Sequence, residues 1–380
     1  DGKSETIGSF FGAGLVQLGG VDLTVAGSAV TTFSGVITQD GDLVLQGTGT
    51  LTLSGTNTFL GTTRVESGVL KLGGTNALPV TTLLRLGNAG DIGAALFDLA
   101  GFDQEVAGLV TDGTVMPMTT TNSDAALAIL TVNNVLAGSY AGLIAGPLSL
   151  VKAGAGTLIL GGGTNGLTYA HTYEGATVVA SGDLILREDS LILLSTNYTI
   201  SAGGRLTLEN TNNVINDNAT LGLQSGALLR LTNGVSETVR ALYFDGVMQP
   251  SGTWGTVNCV FTNTDFFAGT GILIVLSGVV SPVVTITDPA DGLRLPFRAT
   301  RYTITGQAWN VVGTLGYTNS WPQGEETGSF PAVSNWSVPL YLPAKGTYTI
   351  IVWGTNSAGV VAHDRVTVIR DRNPIFWFSR

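Results

Sequence analysis

Acidic side chains are the first candidates for chemistry, and in this sequence they are thinly spread. Asp40 and Asp42 flank a glycine, Glu188 and Asp189 precede a predicted strand, and Asp217 lies in an asparagine-rich run. Cleavage of a polysaccharide needs clustered carboxylates, often with calcium, or a base placed beside the sugar. Each of these acids has the neighbours of a turn residue, so we predict no catalytic residue among them.

Histidine and cysteine offer little for metal or thiol chemistry. Cys259 is the single cysteine, and the two histidines, His171 and His363, lie far apart without metal-ligand spacing. His171, near Glu174, falls in an insertion, where a loop could carry function; we expect a solvated loop histidine. We expect His363 and Asp364 to be a solvent-facing pair and Cys259 a small buried group. No metal or cofactor is predicted.

An asparagine cluster precedes the last third of the chain, at Asn212, Asn213, Asn216 and Asn218. The pattern favours an asparagine ladder or a turn that closes a coil. Calcium or sugar binding is the alternative, but no calcium-binding nonapeptide repeat accompanies the cluster.

The C-terminal segment "NPIFWFSR" places Ile375, Phe376, Trp377 and Phe378 side by side. Burying one large apolar side chain contributes about 1.5–3 kcal/mol, so these residues need a surface. They could fold back on their own domain or bind a neighbouring molecule. The start, "SETIGSFFGAG", enters the repeats without a polar cap, which favours the second interpretation and predicts these four residues as self-assembly contacts.

Composition excludes several classes of protein. Only 12% of the 380 residues are charged, and the formal net charge is −10, so no basic surface is available for nucleic acid. The most apolar stretch, "GILIVLSGVVSPVVTI", is interrupted by Gly, Ser and Pro before the roughly 20 residues that span a bilayer. We therefore predict no nucleic-acid partner and no transmembrane segment.

The elements that must carry these residues are short strands. Helical periodicity is nearly absent, whereas Leu-x-Leu pairs such as Leu51/Leu53, Leu158/Leu160 and Leu184/Leu186 recur, bounded by Gly, Asn, Thr or Asp. A period of two indicates strands, and the boundary residues indicate frequent turns. The chain is predicted to be all-β.

Internal repetition predicts how the strands are arranged. Residues 47–73 recur as residues 154–186, with an insertion of seven residues around 167–172 in the second copy. Repeated short strands indicate stacked units. A three-sided coil needs about 20 residues, so residues 1–278 would form about a dozen coils. Gly68 is predicted at a corner with positive φ.

The pattern changes after Gly278. Alternating strands separated by turns occupy residues 279–371, with Trp309, Trp336 and Trp353 as candidate core aromatics. This pattern is typical of an antiparallel β-sandwich. Residues 372–380 are predicted to be a separate aromatic tail.

The repeated stretch closely resembles the autotransporter-associated beta-strand repeat. The pattern G-x-G-T-L-x-L-x-G-x-N-x-Y-x-G-x-T-x-V-x-x-G-x-L-x-L is met from Gly47 to Leu72, with Phe59 at the usual tyrosine position. The resemblance implies a right-handed parallel β-helix in a secreted or cell-surface bacterial protein. The segment that follows resembles a bacterial immunoglobulin-like domain.

These features predict a non-enzymatic extracellular structural or adhesive protein that associates with copies of itself into a fibre or surface layer. Extracellular glycans and cell surfaces are further candidate partners. The rival interpretation is a carbohydrate-active β-helix, either lyase- or hydrolase-like or glycan-binding. A third is a passenger fragment whose activity lies elsewhere.

Overall fold

The computed structural model describes residues 4–90, 93–113, 117–163, 168–278, 282–356 and 359–371. The chain divides into two compact units, Asp1–Gly278 and Val279–Arg380. All regular structure in the described ranges is β-strand. No helix there has the length and hydropathy of a membrane-spanning segment.

The described residues of the first unit form 35 short strands. In its first part these are β1 (Glu5–Ile7), β2 (Leu15–Gln17), β3 (Leu23–Val25), β4 (Val30–Phe33), β5 (Val36–Gln39), β6 (Leu43–Leu45), β7 (Thr50–Leu53), β8 (Thr58–Phe59), β9 (Thr63–Val65), β10 (Gly68–Leu72), β11 (Leu83–Leu86) and β12 (Ala95–Asp98). The middle part has β13 (Gln104–Val106), β14 (Gly108–Thr111), β15 (Met118–Thr121), β16 (Ala128–Asn133), β17 (Gly138–Tyr140), β18 (Leu143–Gly146), β19 (Leu148–Ala153), β20 (Thr157–Leu160), β21 (Tyr169–Tyr173), β22 (Thr177–Val179), β23 (Gly182–Leu186) and β24 (Ser190–Ile192). The last part has β25 (Asn197–Ile200), β26 (Gly204–Leu208), β27 (Thr220–Leu223), β28 (Leu228–Leu231), β29 (Ser236–Val239), β30 (Ala241–Phe244), β31 (Val247–Met248), β32 (Gly252–Gly255), β33 (Phe261–Thr262), β34 (Phe267–Gly269) and β35 (Ile272–Val275).

These strands wind around three faces. One face is formed by β1-β3-β6-β9-β11-β14 and β17-β20-β23-β26-β28-β34, and the second by β4-β7-β10-β12-β15-β18-β21-β24. The third contains β2-β5-β8 and β13-β16-β19-β22-β25-β27-β30-β31. Neighbouring strands within a face are parallel from β1 to β30. The predicted parallel solenoid is therefore present.

The core is a stack of like side chains, which follows from the period of two. Leu158, Leu184, Leu206 and Leu229 lie in register on successive strands, and each is 0% exposed. Alternate residues point inward, so each coil buries its aliphatics on those of the coil below. At the corners the chain needs a left-handed backbone, and Gly68 has φ +83°, as predicted.

The solenoid has about 10 turns instead of the predicted dozen. Some coils are longer than 20 residues, because Leu70 pairs with Phe97 and Leu158 with Leu184. The supposed insertion of the second repeat is also partly a strand: Tyr169–Tyr173 forms β21 and pairs with β18 and β24. The expected coil of about 20 residues is close to the shortest possible coil, and this strand was not predicted from the sequence.

The C-terminal end of the solenoid departs from parallel stacking. β31 pairs antiparallel with β30, and β32 pairs antiparallel with β35. Phe244, Trp254, Phe261 and Phe266 stack in an aromatic cluster beside these strands. Antiparallel strands close this end of the ladder.

The second unit contains β36 (Val283–Asp288), β37 (Leu293–Leu295), β38 (Arg301–Trp309), β39 (Thr314–Trp321), β40 (Gly324–Pro331), β41 (Asn335–Tyr341), β42 (Gly346–Thr355) and β43 (Val361–Arg370). They form a three-stranded sheet, β36-β38-β41, and a five-stranded sheet, β37-β43-β42-β39-β40. Both sheets contribute to one buried cluster, and all pairs are antiparallel except β37 with β43.

Only one of the three candidate core tryptophans of this unit is in the core. Trp336 is 3% exposed, whereas Trp309 is 63% exposed and Trp353 is half-buried on the outward-facing side of β42. The prediction was wrong for Trp309 because the inward positions of β38 are Ile304 and Ala308. Side chains alternate between the two faces of a strand, so the position of a residue along the strand, and not its size, decides whether it is buried.

Candidate functional site

Two of the acidic residues singled out in the sequence, Asp42 and Asp189, accept hydrogen bonds from the backbone. Asp42 Oδ1 accepts a hydrogen bond from Thr62 N at 2.7 Å. Asp189 accepts from Gly162 N at 2.8 Å and from Gly163 N at 3.1 Å. Asp40 and Glu188 are exposed. The structure does not bring these carboxylates together.

The asparagine cluster closes a coil. Asn213 Oδ1 accepts from Thr238 N at 3.0 Å, and Asn216 Nδ2 donates to Leu193 O at 2.6 Å. Asp217 joins the cluster by accepting a hydrogen bond from Asn213 Nδ2. Because these side chains bond the backbone of neighbouring coils, they have the turn role that the sequence favoured. Within the described ranges, no group of three or more His, Cys, Asp or Glu side chains is arranged to hold a metal ion.

The expectation of a solvated His171 was wrong. His171 occupies an inward position of β21 and is 0% exposed. Its Nδ1 accepts from Ile144 N at 3.1 Å, and its Nε2 lies 3.1 Å from Ser190 Oγ. Burial lowers the pKa of the imidazole to about 4. Nearby Glu174 is exposed, so the two residues do not form a pair.

The other two singled-out positions also differ in part from expectation. His363 is exposed, but Asp364 is half-buried and its Oδ2 accepts from Ile286 N at 2.7 Å. Cys259 is only half-buried, and its Sγ lies 3.2 Å from Phe261 O. Asp364 thus links β43 to β36 instead of pairing with histidine in solvent.

Sequence reasoning missed a buried lysine. Lys152 is 0% exposed, and its Nζ donates to Ala153 O at 2.7 Å, Gly154 O at 3.0 Å and Ser181 O at 3.1 Å. Burial lowers the pKa of this amine to about 8, opposed by the charge of Asp183. Aligning the two repeats gives a usable signal, because Lys152 occupies the inward position of Leu45.

A buried glutamate was missed as well. Glu237 is 0% exposed, and its carboxylate accepts from Val214 N at 2.9 Å and Ile215 N at 3.1 Å. Burial raises the pKa of Glu237 to about 7, and the backbone hydrogen bonds act in the opposite direction. This carboxylate satisfies backbone groups inside the coil, away from the surface.

Shallow grooves open at equivalent corners of the two repeats. The first, about 500 Å³, includes Thr48, Gly68 and Val69 in its lining. The second, about 320 Å³, includes the matching Ala155, Gly182 and Asp183. Glycine at the corner leaves the space that a side chain would fill.

The charges in these grooves differ. The lining of the first is uncharged. In the second, Asp183 is paired with Arg205, with Nη2 and Oδ2 separated by 2.8 Å, and also accepts from Thr207 Oγ1 at 3.0 Å. These partners leave Asp183 little freedom to act as a base.

The apolar side chains of the first described coil differ widely in exposure. Phe10 is 8% exposed and stacks on Phe33 with ring centroids 4.1 Å apart, whereas Phe11 is 71% and Leu15 is 65% exposed. β1 and β2 are the terminal strands of their sheets in the described structure. The four predicted self-assembly contacts, Ile375, Phe376, Trp377 and Phe378, lie outside the described residues.

Comparison with protein families assigns the repeats. Residues 43–72 and 150–186 match the Passenger-associated-transport-repeat family, and both segments span coils of the solenoid described above. The family match is thus limited to these two repeat segments. The resemblance seen in the sequence is confirmed for these segments.

A relative is similar to this chain over more than half of the chain's length. The Adhesin BmaC autotransporter of Brucella suis biovar 1 (strain 1330) is 32% identical over 230 residues, which is 59% of this chain and 6% of the relative. The chain thus spans a small fraction of the length of the adhesin it matches.

Two solved structures are also similar, at low scores. An engineered protein is 13% identical, with 48% of this chain and 55% of that chain covered and a TM-score of 0.22. Chitinase ChiW from Paenibacillus sp. str. FPU-7, a cell-surface-expressed multi-modular enzyme, is 11% identical, with 92% and 24% covered and a TM-score of 0.18. Neither likeness supports a conclusion about fold or activity.

Proposed function

We propose that this chain is a non-enzymatic adhesive segment of a bacterial surface protein, located outside the cell. The main support for this proposal is the match to an autotransporter adhesin over 230 residues, together with the two segments that match the Passenger-associated-transport-repeat family. On this proposal, residues 1–278 are a right-handed β-helical stalk and residues 279–371 an immunoglobulin-like module. Residues 372–380 are an aromatic tail.

The physical basis of a stalk is the stacked core. Parallel strands join every coil to the next by backbone hydrogen bonds, and side chains such as Leu158, Leu184 and Leu206 continue the apolar stack through successive coils. A solenoid of this kind depends on nearest-neighbour coils and presents a long, repetitive surface. Such a surface suits contact with other molecules more than enclosure of a small substrate.

The adhesive role is tested by attachment. Beads coated with the full chain should stay on immobilised cells under flow in larger numbers than beads coated with an unrelated β-solenoid at equal density. This difference is expected because the proposal places cell binding in surface side chains of this chain, which an unrelated solenoid lacks. Equal retention of the two bead types would contradict the adhesive role.

We further propose that copies of the chain associate through exposed apolar side chains of the first described coil. Phe11 is 71% exposed and Leu15 is 65% exposed, and large apolar side chains exposed in this way are typical of contact surfaces. Sedimentation velocity over a range of concentrations should show association of the wild-type chain. Phe11→Asp with Leu15→Asp should abolish it, whereas Val260→Asp, at a position 72% exposed elsewhere, should not. A wild-type chain that stays monomeric throughout contradicts this proposal.

A further inference from the structure

The outward-facing side of the three-stranded sheet in the second unit has an unusual composition. The inward positions of β38 and β41 carry core residues such as Ile304, Ala308 and Val338. The opposite side carries a polar, uncharged set that we call the outer strip: Thr303, Thr305, Gln307, Asn335 and Ser337. All but half-buried Thr305 are exposed.

Strand register places the members of the outer strip side by side. Gln307 lies opposite Asn335, and Thr305 lies opposite Ser337. Gln307 Nε2 donates to Asn335 Oδ1 at 3.3 Å, which orients both amides at the surface. The remaining amide oxygen of Gln307 and the amide nitrogen of Asn335 can accept from and donate to a ligand.

An exposed aromatic side chain stands at each end of the outer strip. Trp309 is 63% exposed and follows Gln307 on the same strand, and Tyr341 is 50% exposed and lies opposite Arg301. From Arg301 to Trp309 the strand rises about 27 Å at about 3.4 Å per residue. The two aromatics are therefore too far apart to form one apolar patch, and hydrogen-bonding groups fill the space between them.

The outer strip itself is uncharged, and charged residues lie beside it. The outer face of the five-stranded sheet bears exposed His363, Arg365 and Glu325. The five residues of the outer strip bear no ionisable side chain. Two opposite charges lie beside the strip, on exposed Arg301, opposite Tyr341, and on exposed Asp288, opposite Thr305. The chain as a whole has a net charge of −10. A neutral ligand meets no like-charge repulsion there, whereas an acidic polymer would be repelled by the chain.

We propose that the outer strip, with Trp309 and Tyr341, binds a neutral extended glycan. Sugar rings have apolar C–H faces that pack on aromatic rings, and Trp and Tyr present such rings at low conformational cost. The hydroxyl groups of the sugars bond to the amides and hydroxyls of the strip, directly or through water. This inference rests on the proposed adhesive function and names the class of its ligand.

Binding is tested with the full chain and defined oligosaccharides. Isothermal titration is performed with neutral hexamers of glucose, mannose, xylose and N-acetylglucosamine, and with polygalacturonate as the acidic comparison. The wild-type chain should bind at least one neutral hexamer and not polygalacturonate. Trp309→Ala and Tyr341→Ala should each weaken binding roughly tenfold or more, which corresponds to about 1.4 kcal/mol. Trp309→Phe should retain part of the affinity.

The matched control is Trp353→Ala, which removes a half-buried tryptophan from the outer face of the other sheet. It should leave glycan affinity unchanged, with folding of all variants checked by near-ultraviolet circular dichroism. The inference is overturned if the wild-type chain binds no neutral hexamer, or if the Trp309→Ala chain binds as tightly as the wild-type chain. If coated beads still adhere while the chain binds no glycan, the adhesive function stands and the glycan assignment fails.

Discussion

His171 Nε2 lies 3.1 Å from Ser190 Oγ, with both side chains fully buried between successive coils of the solenoid. Since His171 Nδ1 accepts from Ile144 N, the proton of the neutral ring is on Nε2, which donates to the serine hydroxyl. The serine is thus a hydrogen-bond acceptor here and is not activated as a nucleophile. The two side chains form a buried hydrogen-bonded pair in a mainly apolar core.

The buried imidazole of His171 makes the stability of the fold depend on pH. The pKa of His171 is lowered to about 4 from 6.5, so the unfolded chain binds the extra proton first as the pH falls. The contribution of His171 to stability should therefore decline from pH 6.5 to about 4, by about 3 kcal/mol at 1.36 kcal/mol per unit. Urea unfolding of wild-type and His171→Gln chains across this range measures the difference.

The second histidine of the chain gives the control. His363 is exposed on β43, so His363→Gln should leave the pH slope of wild-type unfolding unchanged. A difference between wild type and His171→Gln that does not change with pH, or an equally large pH-dependent difference between wild type and His363→Gln, would show that another group is responsible.

Glu237 should act in the opposite direction. Burial raises its pKa to about 7 from 4.5, so the folded chain holds the proton more tightly and the stabilisation is lost as the pH rises from 4.5 through 7. Relative to Glu237→Gln, the wild-type chain should lose about 3 kcal/mol over this window. The measurement is again urea unfolding, with exposed Glu174→Gln as control. A pH-independent difference between wild type and the Glu237 variant would be inconsistent with a carboxyl that titrates inside the coil.

Replacing glycines of the solenoid by alanine should change its stability to different degrees, depending on the backbone conformation and the space at each position. Gly182 has φ +69°, and a Cβ there would lie 2.3 Å from Gly156 O. Gly203 has φ +79° but an open surrounding, so Gly203→Ala should cost about 1–2 kcal/mol and Gly182→Ala clearly more. Gly222 has neither restriction, and Gly222→Ala should be neutral or stabilise by about 0.4–1 kcal/mol. Thermal midpoints in any other order would argue against these corners.

The sequence predicted the elements that depend on strict alternation. Leu51 and Leu70, each 1% exposed, lie in register as repeat spacing suggested, because a period of two and a glycine corner leave few other arrangements. Polar side chains at inward positions were not predicted. His171 was judged by its residue type and Lys152 was overlooked, whereas their alternating positions on β21 and β19 decided their burial.

The same reasoning explains the error on the second unit. Trp309 was expected inside because it is large and apolar, but its neighbour Ala308 holds the inward position of β38. A single strand pattern cannot show which of two adjacent apolar residues faces the other sheet. The outer strip was missed for this reason, since it becomes visible only when β38 and β41 are aligned.

Disulfide trapping between coils tests the central claim, a parallel solenoid with like residues stacked in register. Thr50 pairs with Val69, and Thr52 pairs with Lys71, on adjacent coils. In a Cys259→Ala background, Thr50→Cys with Val69→Cys and Thr52→Cys with Lys71→Cys should both form intramolecular disulfides on mild oxidation, because parallel neighbours lie within bonding reach. In an antiparallel hairpin with Thr50 opposite Val69, Thr52 would instead lie opposite Ser67. Cross-linking of Thr52→Cys with Ser67→Cys, and not of the Lys71 pair, would contradict the solenoid.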